Sequence, residues 1–418
     1  VKATAVWLTI IVAAIGPAGA ATYYVDSEDG CDDPAWNGGP TDPWATLTYA
    51  LSRVSGENTF LCRGVFREDV RVAYEEPRSA FAANPDAVLE GSIEGEHEVG
   101  IDVTGFDVYG YVAGGPLGRV DVTDSHFINP SGGALGINHY YGCARAEGSL
   151  FENCASVCGA SNWEFGRMDF YDCEIKDCGR GMSVMGEGSA YFANCRFTNV
   201  DGKAFGGYFY GEGATFTGCE FYDCGTGIDL EGYGPYHGYW ATIANCEFRG
   251  NGQAIQIVKE GSFADVNIVG SRFIENNGPG ISLEGITIKL RGNVVTGNDG
   301  HGVYIAGGDP DLGTPAEPGG NTFAGNASGY DVYNASAENI FAVGNTWDAQ
   351  SENEMEGKTW QEINVTRIHD HWDDPSVGYV MWCDPVSVAP ASLGRIKASF
   401  GEGAPAPAQA PKTAETGE

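Results

Sequence analysis

Asp229 and Glu231 stand two residues apart in Thr226-Gly-Ile-Asp-Leu-Glu231, where polar and apolar residues alternate. Alternation at period two marks a strand and puts both carboxylates on one face. Their carboxyls then lie about 6–7 Å apart, within the broad range of the acid and base pairs of glycoside hydrolysis. Equivalent outward positions carry Ser183 and Met185, Gln256 and Val258, Ser282 and Glu284, and Tyr304 and Ala306. Rings crowd the neighbouring loops: His139-Tyr140-Tyr141, Trp163, Phe205, Tyr208-Phe209-Tyr210, and Tyr233-Gly-Pro-Tyr236-His237-Gly-Tyr239-Trp240. Exposed rings stack on sugar faces, because both offer a flat apolar surface with a polar rim. The candidate set is therefore Asp229 and Glu231 for catalysis, with Tyr208, Tyr210, Tyr233, Tyr236, His237, Trp240 and Glu284 for substrate binding. The blander reading is rings packed over a wall and acid pairs common in an acidic chain.

Other chemistries have less to stand on. β-Elimination of a uronate needs cations against the substrate carboxylate and a Lys or Arg base. Near this face the cations Arg145, Arg167, Arg180, Lys203 and Lys259 are scattered. Ca2+ held by carboxylates could make up the difference. The acidic run Asp26 to Asp33 is a further place for calcium, though its spacing is not that of an EF-hand and a solvated loop serves as well. No Cys or His spacing resembles a zinc site, and no cofactor is required.

What must position these residues is a repeat. The phrases Phe170-Tyr-Asp-Cys173-Glu-Ile175, Phe192-Ala-Asn-Cys195-Arg-Phe197, Phe216-Thr-Gly-Cys219-Glu-Phe221 and Ile243-Ala-Asn-Cys246-Glu-Phe248 share one pattern. Anchors at 125, 154, 173, 195, 219, 246, 271, 293, 321 and 345 give a mean period of about 24 residues, in the range of a solenoid. Two positions past the anchor come Phe127, Ile175, Phe197, Phe221, Phe248, Phe273, Val295, Phe323 and Trp347, an expected inward stack. Five past it come Cys178, Cys224, Asn251, Asn276, Asn298 and Asn326, an expected hydrogen-bonded turn. One copy misfits: Cys158 lies four past Cys154, and Val200 holds the fifth place past Cys195. Short strands broken by Gly and Asn at this period predict an all-β chain, a right-handed parallel β-helix of about ten or more coils.

The chain has 418 residues and 62 Gly, and 23 basic against 57 acidic residues give a net charge of −34. So acidic a chain repels nucleic acid and anionic membrane. Residues 1–20 read as a secretory signal: Lys2, the apolar run 6–15, and Ala18-Gly-Ala20 before the cut. No other stretch is long enough to span a bilayer, so a single soluble copy outside the cytoplasm is expected. Twelve cysteines suit an oxidising compartment. Those of the anchor column can stack as buried thiols or join vertically, and a Cys31–Cys62 bridge is an option in the first segment.

That first segment holds Tyr23-Tyr-Val-Asp26, then Trp44-Ala-Thr-Leu47 with Ala50, then Gly64-Val-Phe-Arg-Glu68. Trp44, Leu47, Leu51 and Val54 share a helical face, with Asp42 as N-cap. These phrases resemble the start of right-handed parallel β-helix proteins of the pectin-lyase-like superfamily. The resemblance implies a helix that plugs the open end of the solenoid. Near the other end, Ile368-His-Asp-His-Trp372-Asp-Asp-Pro375-Ser-Val-Gly378 resembles the closing segment of such bacterial proteins. The implied plan is a signal over 1–20, a cap over 21–70, the β-helix over 71–347, a closing segment over 348–400 and a disordered tail over 401–418. Gly300-His301-Gly302 and Arg395-Ile396-Lys397 resemble polygalacturonase tripeptides. The carboxylate phrases that precede them in that family are missing, so they read as coincidence. Two functions follow: a secreted protein that binds, and in one version cleaves, a polysaccharide or cell-surface glycan, or a non-catalytic adhesion or structural rod. In the first version the resemblance implies a polysaccharide lyase or glycoside hydrolase.

Overall fold

The computed structural model describes residues 20–73, 78–129, 131–137, 142–161, 166–209, 212–233, 239–260, 264–327 and 329–384. The chain winds as a right-handed parallel solenoid of about 11 turns. Three ladders run along it. The corner sheet is made of three-residue strands such as His126–Ile128, Leu150–Glu152, Glu174–Lys176, Arg196–Thr198, Glu220–Tyr222 and Glu247–Arg249. The groove sheet includes Gly133–Ile137, Ser156–Ser161, Met182–Gly186, Lys203–Phe209, Thr226–Tyr233 and Gln253–Glu260. The back sheet includes Arg119–Thr123, Cys143–Glu147, Arg167–Tyr171, Ser189–Ala193 and Tyr239–Ala244. Each pairs in parallel with its equivalents one coil away.

The inward stack is real. Ring centroids are 4.8 Å apart for Phe197 and Phe221, 4.6 Å for Phe221 and Phe248, and 4.9 Å for Phe248 and Phe273, with planes within 7° of parallel. That spacing is the distance between hydrogen-bonded strands, so the backbone ladder dictates the stack. A second inward column, Phe170, Phe192 and Phe216, runs behind the back sheet.

Cys154 is not an anchor. Phe151 pairs with Phe127 on one side and Ile175 on the other, so Ser149 holds the anchor place and both steps become 24 residues. Cys154 belongs with Cys178 and Cys224, whose thiols donate to the carbonyls of Phe151 and Phe197, as Cys154 does to Phe127. The confusion has a physical cause. Both corners of the coil need a left-handed residue followed by a small buried one. Asn194 and Asn245 precede the anchors with φ of 55°, and Asn153 precedes Cys154 with φ of 51°. Asn, Asp and Gly tolerate that conformation, so two different turns spell the same dipeptide.

The asparagine turn is a continuous ladder. Asn251 Nδ2 donates to Asn276 Oδ1 at 2.9 Å, Asn276 to Asn298 at 2.8 Å, Asn298 to Asn326 at 2.8 Å, and Asn326 to Asp331 at 2.7 Å. Ser271, Asn293, Asn321 and Asn345 form a second ladder in the anchor column. The cysteines below them are free thiols. Burial pushes Cys224 up to about 11 and Cys158 to about 12, away from reactivity. The Cys31–Cys62 bridge does not form: Cys31 is exposed while Cys62 is buried and donates to the Phe60 carbonyl.

The plug helix α1 (Leu47–Arg53) buries Leu47, Ala50 and Leu51 over the first coil. Its N-cap is Thr46, not Asp42, and Glu68 accepts from the amides of Leu47 and Thr48 at 2.7 and 2.9 Å. Glu68 thus ties the first coil to the plug. The repeat does not stop at Trp347. Helix α2 (Ala349–Met355), capped by Asp348, is followed by Ile368–His369 and Val380–Met381, which extend the groove and back ladders. The described residues end at 384, so Arg395 and the tail lie outside them.

Candidate functional site

The groove sheet presents two outward columns in the expected register. One runs Ser183, Gly206, Asp229, Gln256, Ser282, Tyr304, Tyr333, His369. The other runs Met185, Tyr208, Glu231, Val258, Glu284, Ala306. Below Asp229 the first column continues as Gly206, Ser183, Gly159, Gly136 and Ala113. These rungs carry almost no side chain. The shortage of atoms leaves a groove of about 720 Å3, lined by Gly133, Ser156, Arg180, Ser183, Lys203 and Gly206. The small-residue column is legible as spacing, but Gly, Ser and Ala carry no chemical signature that marks them as a groove floor.

Lys203 changes the chemistry of the acid pair. Its Nζ lies 2.5 Å from Asp229 Oδ2 and 3.6 Å from Glu231 Oε1. Burial opposes its charge, but the two carboxylates outweigh burial and raise the ammonium above its ordinary value. Asp229 is 5% exposed, and its Oδ1 is buried without a partner. One ammonium therefore holds buried Asp229 closely and lies within ion-pair reach of the more exposed Glu231. Two of the five scattered cations, Arg180 and Lys203, meet at the groove. Arg145 and Arg167 pair with Glu147 and Asp169 on the back sheet.

The rings divide. Tyr208 sits beside Glu231 on the groove sheet and is half-buried. Phe205 is core, fully buried against Phe192 and Phe216. Trp240 is 40% exposed but stands on the back sheet, paired with Gly213 and Asp265, so it does not share the face of Asp229. Tyr210, Tyr236, His237, His139, Tyr140, Tyr141 and Trp163, with the side chain of Tyr233, lie outside the described residues. Glu284 is exposed in the Glu231 column, two rungs away. Among the described residues no three His, Cys, Asp or Glu side chains converge on a point that could hold a metal ion.

At the far end of the column His301 is not isolated. Its ring centroid is 4.5 Å from Tyr333, which stacks at 3.9 Å on His369 from the closing segment. Tyr304 lies 5.5 Å from Tyr333 on the other side. The rings cover one another's faces and pin the closing segment to the last coils. His301 Nδ1 is buried without a partner. Burial, with His369 nearby, holds His301 below the usual imidazole value. The folded state thus favours neutral His301, and its contribution is complete above the unfolded value of about 6.5 and declines as pH falls below it. The melting temperature is expected to fall as pH drops below about 6.5, with part of that slope removed in His301→Gln. Equal slopes in both proteins, by scanning fluorimetry, would contradict the assignment.

Fold and register define the class: this is a right-handed parallel β-helix protein. A family model for the right-handed beta helix region matches residues 111–264, and one described as a protein of unknown function (DUF1565) matches 214–353. No curated protein matches the sequence. Similar solved structures include XylC in complex with xylose, at 10% identity and a TM-score of 0.40, covering 67% of this chain and 70% of that one. A rhamnogalacturonan lyase follows at 16% and 0.29, covering 73% and 81%. The pectate lyase Pel9A stands at 15% and 0.32, covering 79% of both. No activity passes from them to this chain.

Proposed function

We propose that the protein binds a polysaccharide along the groove sheet, and that this face holds the chain without cleaving it. The observation that carries the reading is the small-residue column that opens a groove onto Lys203, Asp229 and Glu231. Stacked rungs about 4.8 Å apart offer a long ligand repeated polar contacts along one axis. The ion pairing of Lys203 with Asp229, within reach of Glu231, favours recognition of hydroxyls over acid–base cleavage. This is a binding surface outside the cytoplasm, in keeping with the secretory signal read over residues 1–20.

Gly206 provides the sharpest test. It does not need a left-handed backbone, and a Cβ there meets only the flexible Lys203 side chain, at 3.4 Å. Gly206→Met fills the groove while leaving every charged residue in place. In a glycan screen scored for both binding and new reducing ends, wild type is expected to bind without turnover. Gly206→Met and Asp229→Asn should each weaken that binding about tenfold or more, or about 1.4 kcal/mol. Undiminished binding by Gly206→Met would sink the groove, and turnover lost in Glu231→Gln would restore catalysis.

A further inference from the structure

We propose that Arg78, Asp102, Arg119 and Asp121, with Tyr171 and Tyr191 beyond them, form a second saccharide subsite on the back sheet, suited to a neutral sugar with adjacent hydroxyls. It extends the saccharide reading of the groove sheet to a separate place and rests on that reading for the class of ligand.

The back sheet carries a cavity of about 470 Å3 in its early coils, lined among others by Arg78, Asp102, Arg119, Asp121, Arg145 and Glu147. Asp102 and Asp121 are direct neighbours across one rung. Arg78 grips Asp102 with two bonds, 2.7 and 3.0 Å, and reaches Asp121 at 3.5 Å. Arg119 Nε lies 2.6 Å from Asp121 Oδ2. This leaves Asp121 Oδ1, which is buried with no partner. Burial raises Asp102 above the usual carboxylate value, Asp121 adds to the rise, and Arg78 opposes it. The four side chains thus form one ion-paired polar set.

The charge of this cavity is nearly balanced: three guanidiniums stand against Asp102, Asp121 and Glu147, with Glu57 at the rim. Such a lining has little net pull on a polyanion or a polycation. It offers donors and acceptors side by side, the arrangement that adjacent hydroxyls match from both sides. Arg145 leads out of the cavity, its guanidinium 5.4 Å over the ring of Tyr171. Tyr191 follows 5.5 Å further along. Both tyrosines are half-exposed and outward. Tyr191 lies in the column of Asp102, Asp121 and Arg145, past Asp169, and Tyr171 in the adjacent column beside Glu147. Polar contacts to hydroxyls followed by rings suit a pyranose chain.

The pair Arg119→Gln and Tyr191→Ala tests this against neutral gluco-, xylo- and manno-oligosaccharides and an acidic galacturonate oligomer, by calorimetry on the full chain. Tyr191→Ala is the control for folding, since it removes a surface ring and no charge. About a tenfold loss for a neutral oligosaccharide in both variants, with Asp229→Asn unaffected for that ligand, supports the subsite. Loss only in the groove variants, or a preference for the acidic oligomer that both back-sheet variants leave intact, overturns it while the groove reading stands. Absence of binding to every saccharide overturns both.

Discussion

Phe221→Ala is expected to cost about 3–5 kcal/mol, the largest single loss among the inward residues. Phe221 is fully buried and sandwiched between Phe197 and Phe248, at 4.8 and 4.6 Å, with Phe216 against its edge at 6.1 Å. Removing the ring deletes two stacked pairs and leaves a cavity. The coils above and below cannot close over it, because the strand hydrogen bonds fix their spacing. Outward on the next position, Tyr222→Ala should cost less than about 1 kcal/mol. Urea denaturation of both variants, with the m-value tracked, separates the two cases. Equal costs would mean that Phe221 is not the interior ring described.

Asn298→Ala is expected to be nearly as damaging for a different reason. Asn298 Oδ1 accepts from the amide of Asn276 at 3.1 Å and from its Nδ2 at 2.8 Å. Its own Nδ2 donates to the Phe273 carbonyl at 3.1 Å and to Asn326 at 2.8 Å. Alanine removes all four bonds at once; Asn276 Nδ2 and Asn326 Oδ1 keep only the Phe248 carbonyl and the residue-298 amide, and both asparagines are buried to within 1%. Each unsatisfied buried group costs about 1–3 kcal/mol, partly relieved by water or local relaxation, so a loss of about 3 kcal/mol or more follows. Hydrogen exchange should show lost protection in the neighbouring corner strands on both sides, 272–274 and 322–324. Loss confined to residues 294–298 would contradict a cooperative ladder.

The period and the alternating faces were readable from sequence because each coil repeats the same demands at the same places. The outward columns from Ser183 and Met185 to Tyr304 and Ala306 appear in the register that spacing implied. The slip at Cys154 shows where the phrase fails. A left-handed Asn before a buried thiol occurs at both ends of the corner strand, and only the distance to the neighbouring anchors distinguishes the ends. Lys203 was seen but not placed. Its strand partner is Thr226, and a long flexible side chain carries the charge along to Asp229. No local pattern encodes that reach. The Asp102–Asp121 cluster was invisible for another reason. Asp121 precedes the anchor Ser125, but Asp102 lies one coil earlier, where no anchor phrase follows to give its rung partner. The setting of His301 is not legible from its tripeptide, because its neighbours Tyr333 and His369 come from two later coils.

Hydrogen–deuterium exchange with and without a saturating bound polysaccharide tests the central claim most directly. Protection is expected in the groove-sheet peptides covering Met182–Gly186, Lys203–Phe209 and Thr226–Tyr233, and it should vanish in Gly206→Met. Protection confined to the corner strands, or unchanged exchange across these three strands with ligand demonstrably bound, would contradict the account.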